Sequence, residues 1–153
     1  TYDMVVHPRD NELVMGTHGR SIYVMDVTPI QKLSSQEDKQ LVAFAPEAVN
    51  YSERWGERSA PFRDPFMPEI NLLYYVDKIK KNNSSVRVLV KNEKERVVHE
   101  LEFDSKMGFN HKSWDLVVDE KSEENDREFL TKGTYNLEFI YNGKRSSVTF
   151  EVK

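Results

Sequence analysis

Residues 135–152 read YNLEFIYNGKRSSVTFEV, and this stretch decides the fold class. Aromatic and aliphatic side chains occupy alternate positions on both sides of Asn142-Gly143, as they do in half-buried strands. Asn-Gly favours the type I′ turn, because the backbone twist of that turn matches the twist of two antiparallel strands. The sequence therefore predicts a β-hairpin in this stretch.

The same alternation recurs upstream of the hairpin. Apolar and polar side chains alternate in four further runs, at residues 72–76, 86–90, 97–103 and 114–118. Six or seven short strands at this spacing are typical of two packed antiparallel sheets. We therefore expect residues 70–153 to form an immunoglobulin-like antiparallel β-sandwich in an all-β chain.

Residues 1–33 contain three shorter runs rich in valine, isoleucine, tyrosine and methionine. The runs lie at residues 4–7, 12–16 and 21–25. The segments PRDN and GTHGR between them are rich in turn-forming residues, which predicts a short β-meander. Thr28 directly before Pro29 is typical of an N-cap followed by proline in the first helical turn, so a short helix should follow.

A sheet of three strands cannot bury both of its own faces, so something else must cover this meander. We expect the meander to pack on the sandwich or to pair with a second copy of the chain along an exposed strand edge, which would give a homodimer. The chain enters the meander at Thr1 without an initiator methionine or a leader pattern, which we interpret as the start of a fragment.

Residues 34–69 are expected to form a tether between the meander and the sandwich. Four prolines remove backbone donors here, so the chain should run extended over a surface, apart from one strand at residues 41–44. Trp55 lies in the tether. We expect its ring to pin the tether onto an adjoining domain, and binding of a ligand is the alternative.

Composition excludes several classes of function. The formal charge of -4 is spread over mixed signs without a basic stripe, so nucleic acid is not an expected partner. The chain has no cysteine, and its four histidines lack metal-ligand spacing, so we expect no metal and no cofactor. Its apolar runs are too short for a membrane span. The acidic residues 119–128 lack EF-hand spacing and predict a solvated loop.

Two stretches resemble a known family. VVHPRDNELVMGTHGRSIYVMD at residues 5–26, followed by TPIQKL at 28–33, resembles the closing blade of bacterial β-propellers related to sialidase-type BNR-repeat and sortilin-like (VPS10-type) propellers, often labelled glycosyl hydrolases. GFNHKSWDL at 108–116 and LTKGTYNLEFIYNGK at 130–144 resemble the immunoglobulin-like domains that follow such propellers, which are similar to those of flagellar hook-capping proteins.

The resemblance implies a domain order. Residues 1–33 would be part of the last blade with a short helix, residues 34–69 the tether, and residues 70–153 the sandwich. An upstream propeller of the same chain would be the main partner, and the bacterial protein would be periplasmic or secreted. Sialidase-type catalysis draws its residues from several blades, so this chain is expected to be a non-catalytic accessory module.

Five residues are candidates for binding a ligand or for contacting a neighbouring blade. His18 and Arg20 in the GTHGR turn, together with Asp26, could face a ligand at a propeller mouth or could contact the neighbouring blade. Trp114 is expected to be a core residue beside the exposed Asp115, and at least half of the tyrosines should also be buried. The alternative is that Trp55, Trp114 and the tyrosines stack on sugar rings, so a carbohydrate-binding module is one alternative function. Another alternative is part of a glycoside hydrolase, in which GTHGR contributes to a site completed by missing blades.

Overall fold

The chain forms two compact units, Thr1–Asp38 and Lys39–Lys153. The computed structural model describes residues 3–19, 21–35, 40–79, 84–120 and 127–153. Strand pairing is antiparallel throughout the named strands of both units, and these strands form several open sheets. The predicted all-β class is therefore confirmed.

The first unit contains a three-stranded meander and one helix. The strands β1 (Asp3–Val6), β2 (Glu12–Gly16) and β3 (Ile22–Asp26) form a sheet in the order β1-β2-β3. The helix α1 spans Thr28–Ser35. These elements lie where the turn-rich segments between apolar runs predicted them.

The start of α1 differs from the prediction that Thr28 would be its N-cap. Asp26 caps the helix, because its Oδ1 accepts a hydrogen bond from the Thr28 N–H at 2.8 Å. The Gln31 N–H donates to the Val27 carbonyl at 3.0 Å, so the first turn already includes Val27. The Val27 carbonyl accepts the first helical bond, so the N-cap position lies one residue earlier than the sequence pattern indicated, and the Asp26 side chain supplies the capping hydrogen bond.

The second unit is a sandwich of two antiparallel sheets with one additional hairpin. One sheet has the order β4-β5-β8 and the other has the order β12-β11-β6-β7, while β9 pairs with β10. The strands are β4 (Leu41–Phe44), β5 (Ile70–Val76), β6 (Ser85–Lys91), β7 (Val97–Asp104), β8 (Gly108–Trp114), β9 (Val117–Glu120), β10 (Arg127–Phe129), β11 (Gly133–Tyr141) and β12 (Lys144–Val152).

The strand order is of the immunoglobulin type. β4, β5 and β8 correspond to strands A, B and E, and β6, β11 and β12 correspond to C, F and G, with β7 beside C. Tyr135, near the start of β11, donates its hydroxyl hydrogen bond to the Thr131 carbonyl at 2.9 Å. This contact is the tyrosine corner found at the same corner of immunoglobulin-like sandwiches.

The compact second unit includes residues that the sequence assigned to a tether. β4 pairs with β5 from Leu41 opposite Val76 to Phe44 opposite Leu73. The chain then crosses to the other sheet, where Val49 forms a parallel bridge with Val152. Pro46 lies between these two contacts, and its missing donor explains why β4 ends there. The prolines therefore shape an edge of the sandwich, which begins before residue 70.

The core is built from the inward positions of both sheets. Its fully buried side chains include Leu72, Tyr74, Val86, Val88, Val90, Leu137 and Phe139. The rings of Tyr74 and Phe139 lie 5.3 Å apart, and the Tyr74 hydroxyl shares a 2.7 Å hydrogen bond with Ser105 Oγ. Burial raises the pKa of Tyr74, although the Ser105 bond acts in the opposite direction. Each such side chain contributes about 1.5–3 kcal/mol through burial.

The predicted hairpin is confirmed. Asn142 and Gly143 have φ of 48° and 78°, the positive values that a type I′ turn requires at both central positions.

The predicted strand at residues 114–118 is wrong, since β8 ends at Trp114 and Leu116 has a φ of 61° that breaks the strand. The loop predicted at residues 119–128 is shorter at both ends because β9 and β10 pair there, and residues 121–126 lie outside the described residues.

Candidate interaction surface

The pairing register divides the side chains of the β1–β3 sheet between two faces. One face carries Met4, Val6, Leu13, Met15, Tyr23 and Met25. Every side chain in this set is apolar or aromatic. Met4 and Tyr23 are 58% and 55% exposed, so the face is open in the structure.

The opposite face is also apolar at its centre. Val5, Val14 and Val24 lie opposite one another across the three strands, and Ile22 continues this row. Val5 is 60% exposed and Ile22 is 73% exposed. The ends of this face carry Asp3, Glu12 and Asp26. Both faces of the sheet are therefore suited to burial against another layer.

Both edges of the sheet are open among the strands that the structure describes. β2 pairs on both sides, whereas β1 and β3 each pair on one side only. β3 contains neither lysine nor proline, which often prevent further strands from adding to an edge. The sheet can therefore accept an additional strand along β3.

Of the two candidates in the GTHGR turn, the structure describes only His18, which does not lie near Asp26. His18 lies exposed in the turn before β3, and Arg20 lies outside the described residues. Asp26 is the last residue of β3, a strand of 5 residues. At about 3.3 Å per residue, the two ends of β3 are separated by roughly 13 Å. His18 and Asp26 thus mark opposite ends of the sheet rather than one polar site.

Asp26 has a structural partner of its own. Hydrogen bonds from the hydroxyl and the N–H of Thr28 hold the pKa of the Asp26 carboxyl below its ordinary value. The carboxylate therefore stays charged at the N-terminus of α1, where a negative charge is favourable. The structure uses this residue to begin the helix.

Both candidate tryptophans are buried in the sandwich. Trp55 is 7% exposed and packs its ring 5.1 Å from Tyr51 and 5.9 Å from Phe129. Trp114 is 5% exposed, lies parallel to the His99 ring at 5.5 Å, and donates its Nε1–H to the Val117 carbonyl at 3.2 Å. The interpretation of Trp114 as a core residue agrees with this burial, and neither tryptophan offers an open ring face on which a sugar could stack.

Sequence reasoning missed an ion-pair cluster on the outer face of the four-stranded sheet. The Glu138 carboxylate on β11 lies 2.8 Å from Lys91 Nζ on β6 and 2.9 Å from Arg145 NH1 on β12. The contact with Lys91, helped by Arg145, lowers the pKa of Glu138 although partial burial acts against it. The alternation of β11 places Glu138 on this face, but the partners become visible only with the strand register. The cluster joins three strands and holds its carboxylate charged.

No metal centre is evident in the described parts of the chain. No group of three His, Cys, Asp or Glu side chains there could hold a metal ion. The same residues include no helix that is long and apolar enough to cross a membrane.

The chain was compared with models of known protein families and with curated proteins. No model of a known protein family matches the chain, and the search of curated proteins gives no significant match. The class is therefore defined by the fold: an all-β chain whose second unit is an antiparallel sandwich with immunoglobulin-type strand order. Such sandwiches serve many unrelated functions, so the function must be argued from the surface.

Proposed function

We propose that the chain is a non-catalytic accessory module of a propeller protein. The β1–β3 sheet would form part of a blade, and the sandwich would be an immunoglobulin-like appendage that spaces or presents the propeller. The resemblance of residues 5–33 to a closing blade motivates the proposal. An extracytoplasmic bacterial protein, related to proteins labelled glycosyl hydrolases, is the setting that this resemblance implies.

The apolar character of both faces of the β1–β3 sheet carries the proposal. In a two-layer sandwich each sheet buries one face, and its other face is normally polar. A propeller arranges its sheets radially, so each blade has a neighbour on both sides. A sheet with Tyr23 on one face and Val24 on the other is better suited to a propeller blade than to a two-layer sandwich. Because blades typically have four strands, the open edge along β3 or β1 would receive another strand.

The positions of the polar candidates support an accessory role over a catalytic one. His18 and Asp26 lie at opposite ends of β3, and Asp26 already caps α1. The two tryptophans considered as platforms for a sugar are buried, which removes the observation that favoured a carbohydrate-binding module. A structural module requires neither arrangement.

Hydrogen exchange on the monomeric chain tests the proposal. A sheet that lacks its neighbouring layers opens easily, so amides of β2 should exchange at rates close to those of unstructured peptide. Amides of β11, which lies between two strands over the core, should exchange by global unfolding and serve as the internal control. Equal protection of β2 and β11 in a monomer would show that the sheet is complete as it stands. Micromolar binding of a glycan in calorimetry would contradict the accessory role.

A further inference from the structure

The segment between β4 and β5 forms a closed loop, here called the finger, at residues 56–66. The Gly56 N–H donates to the Phe66 carbonyl and the Phe66 N–H donates to the Glu57 carbonyl, both at 2.9 Å. At the tip, the Arg63 N–H donates to the Ala60 carbonyl at 3.0 Å and closes a turn. Loops whose ends meet in this way are frequently functional.

The base of the finger packs against the core of the sandwich. Trp55, directly before it, is buried between Tyr51 and Phe129. Gly56 has a φ of 82°, and a Cβ there would lie 3.1 Å from the Phe129 ring. Glycine is therefore required for both the backbone conformation and the close approach. The base of the finger is held in place, so its tip is presented in a defined position.

The tip presents a bare aromatic ring. Phe62 is fully exposed, Phe66 is 56% exposed, and Arg63 beside Phe62 is also exposed. Pro61 restricts the backbone of this turn, which lowers the entropy lost when the tip binds. Phenylalanine and arginine are both enriched at protein interfaces, and arginine is among the residues that most often dominate the binding energy. The tip therefore has the composition of an interface anchor.

A groove on the same unit has the complementary character. It lies at the end of β4 and the start of β5, has a volume of about 580 Å³, and is bordered by His111 and by the acidic Glu47 and Glu69. Its apolar lining residues are Ala45, Pro46, Ala48, Val49, Ile70 and Leu73. The combination of an apolar lining and two carboxylates matches a phenylalanine ring followed by an arginine.

We propose that the finger binds in the groove of a second copy of this chain. Phe62 occupies the apolar part of the groove, and Arg63 forms ion pairs with Glu47 and Glu69. Opposite charges meet around an apolar centre, which is the arrangement that gives protein interfaces their specificity. This self-association uses the sandwich, so it is independent of the blade role proposed for the β1–β3 sheet.

Sedimentation velocity of the full chain over a wide concentration range provides the first test. We expect reversible association that Phe62→Ala weakens by about 30-fold or more, the effect of losing an interface anchor. Phe109→Ala, at another exposed phenylalanine, is the matched control and should leave the association constant unchanged. Ile22→Asp in β3 should also leave it unchanged. A chain that stays monomeric up to about 1 mM, or association that Ile22→Asp abolishes, overturns the proposal.

Charge reversal provides the second test. Arg63→Glu should weaken association, and the double variant Glu47→Arg with Glu69→Arg should do the same. Mixing these two variants, or combining all three changes in one chain, should restore association because the pairs are reversed. Failure of the combined variant to associate, with its melting temperature unchanged, overturns the pairing.

Disulfide trapping gives the third test, since the chain has no cysteine of its own. Asp64→Cys chains, which keep Phe62 and Arg63, should form a mixed covalent dimer with Ala48→Cys chains under oxidising conditions. Ser147→Cys, at an exposed position on β12, replaces Ala48→Cys as the control. Trapping that is no faster with Ala48→Cys than with Ser147→Cys overturns the proposed contact.

Discussion

Replacing Tyr135 by phenylalanine tests the tyrosine corner directly. The Tyr135 hydroxyl donates to the Thr131 carbonyl at 2.9 Å and lies 3.3 Å from Thr131 Oγ1. The ring packs 5.6 Å from Phe150 inside the core. Tyr135→Phe keeps this packing and removes only the hydrogen bonds that join the start of β11 to the preceding loop.

The expected cost of Tyr135→Phe is set by the hydrogen bond that it removes. A hydrogen bond of this kind contributes about 0.5–1.5 kcal/mol net to the free energy of unfolding. Thr131 is exposed, so water can replace the lost partner of its carbonyl and the larger penalty of a buried unpaired group does not apply. We therefore expect a loss of about 1 kcal/mol, which lowers the melting temperature of a domain of this size by roughly 3–5 °C.

Thermal unfolding followed by near-ultraviolet circular dichroism measures this loss. Tyr75→Phe is the matched control, because Tyr75 lies half-buried on β5 with its ring 5.3 Å from Phe109. That change should stay within about 0.5 kcal/mol of the unmodified chain. If Tyr135→Phe lowers the melting temperature no more than Tyr75→Phe does, the hydroxyl does not hold the corner.

Two further substitutions test the sandwich. Glu138→Gln should cost about 1–2 kcal/mol near neutral pH. Because Lys91 lowers the pKa of Glu138, this stabilisation is complete above the ordinary carboxyl pKa of 4.5 and is lost as the pH falls through the lowered value, so urea unfolding of the two proteins should converge in acid. Gly143→Ala should cost about 1 kcal/mol because φ is positive at this position, whereas Gly16→Ala, in open space at ordinary φ, should be nearly neutral in the same assay.

The strands that the sequence predicted are those in which apolar side chains recur, at alternate positions or in a short run. β11 and β12 meet this condition and their Asn142-Gly143 turn is a strong local signal. β8 does not, because its inward Asn110 is polar and buried. The Asn110 side chain bonds to Lys106 and to the Gly108 carbonyl, so a polar residue is stable there. Such a partner cannot be inferred from alternation alone, and the predicted strand was placed too late.

The interaction surface was predictable in kind but not in its details. The apolar runs of residues 1–33 already indicated a three-stranded sheet that cannot bury both of its own faces. His18 and Asp26 were grouped because they are close in sequence. The extended strand β3 lies between them, so they are far apart in space. Trp55 was expected to pin a tether, and the structure places its ring in the core of the sandwich. The burial of an aromatic residue in a proline-rich stretch depends on strands that are distant in sequence. Here the Trp55 ring packs against Phe129 on β10.

The two units differ in how the edges of their sheets are covered. On the sandwich, the β4 edge is covered where Ser146 Oγ accepts a hydrogen bond from the Ala43 N–H at 2.9 Å. The β12 edge is covered by the bridge between Val49 and Val152. Edges protected in this way do not recruit further strands. Among the residues that the structure describes, the meander has short strands, two edges without a pairing strand and two apolar faces, so we expect its folding to depend on neighbouring layers more than that of the sandwich does.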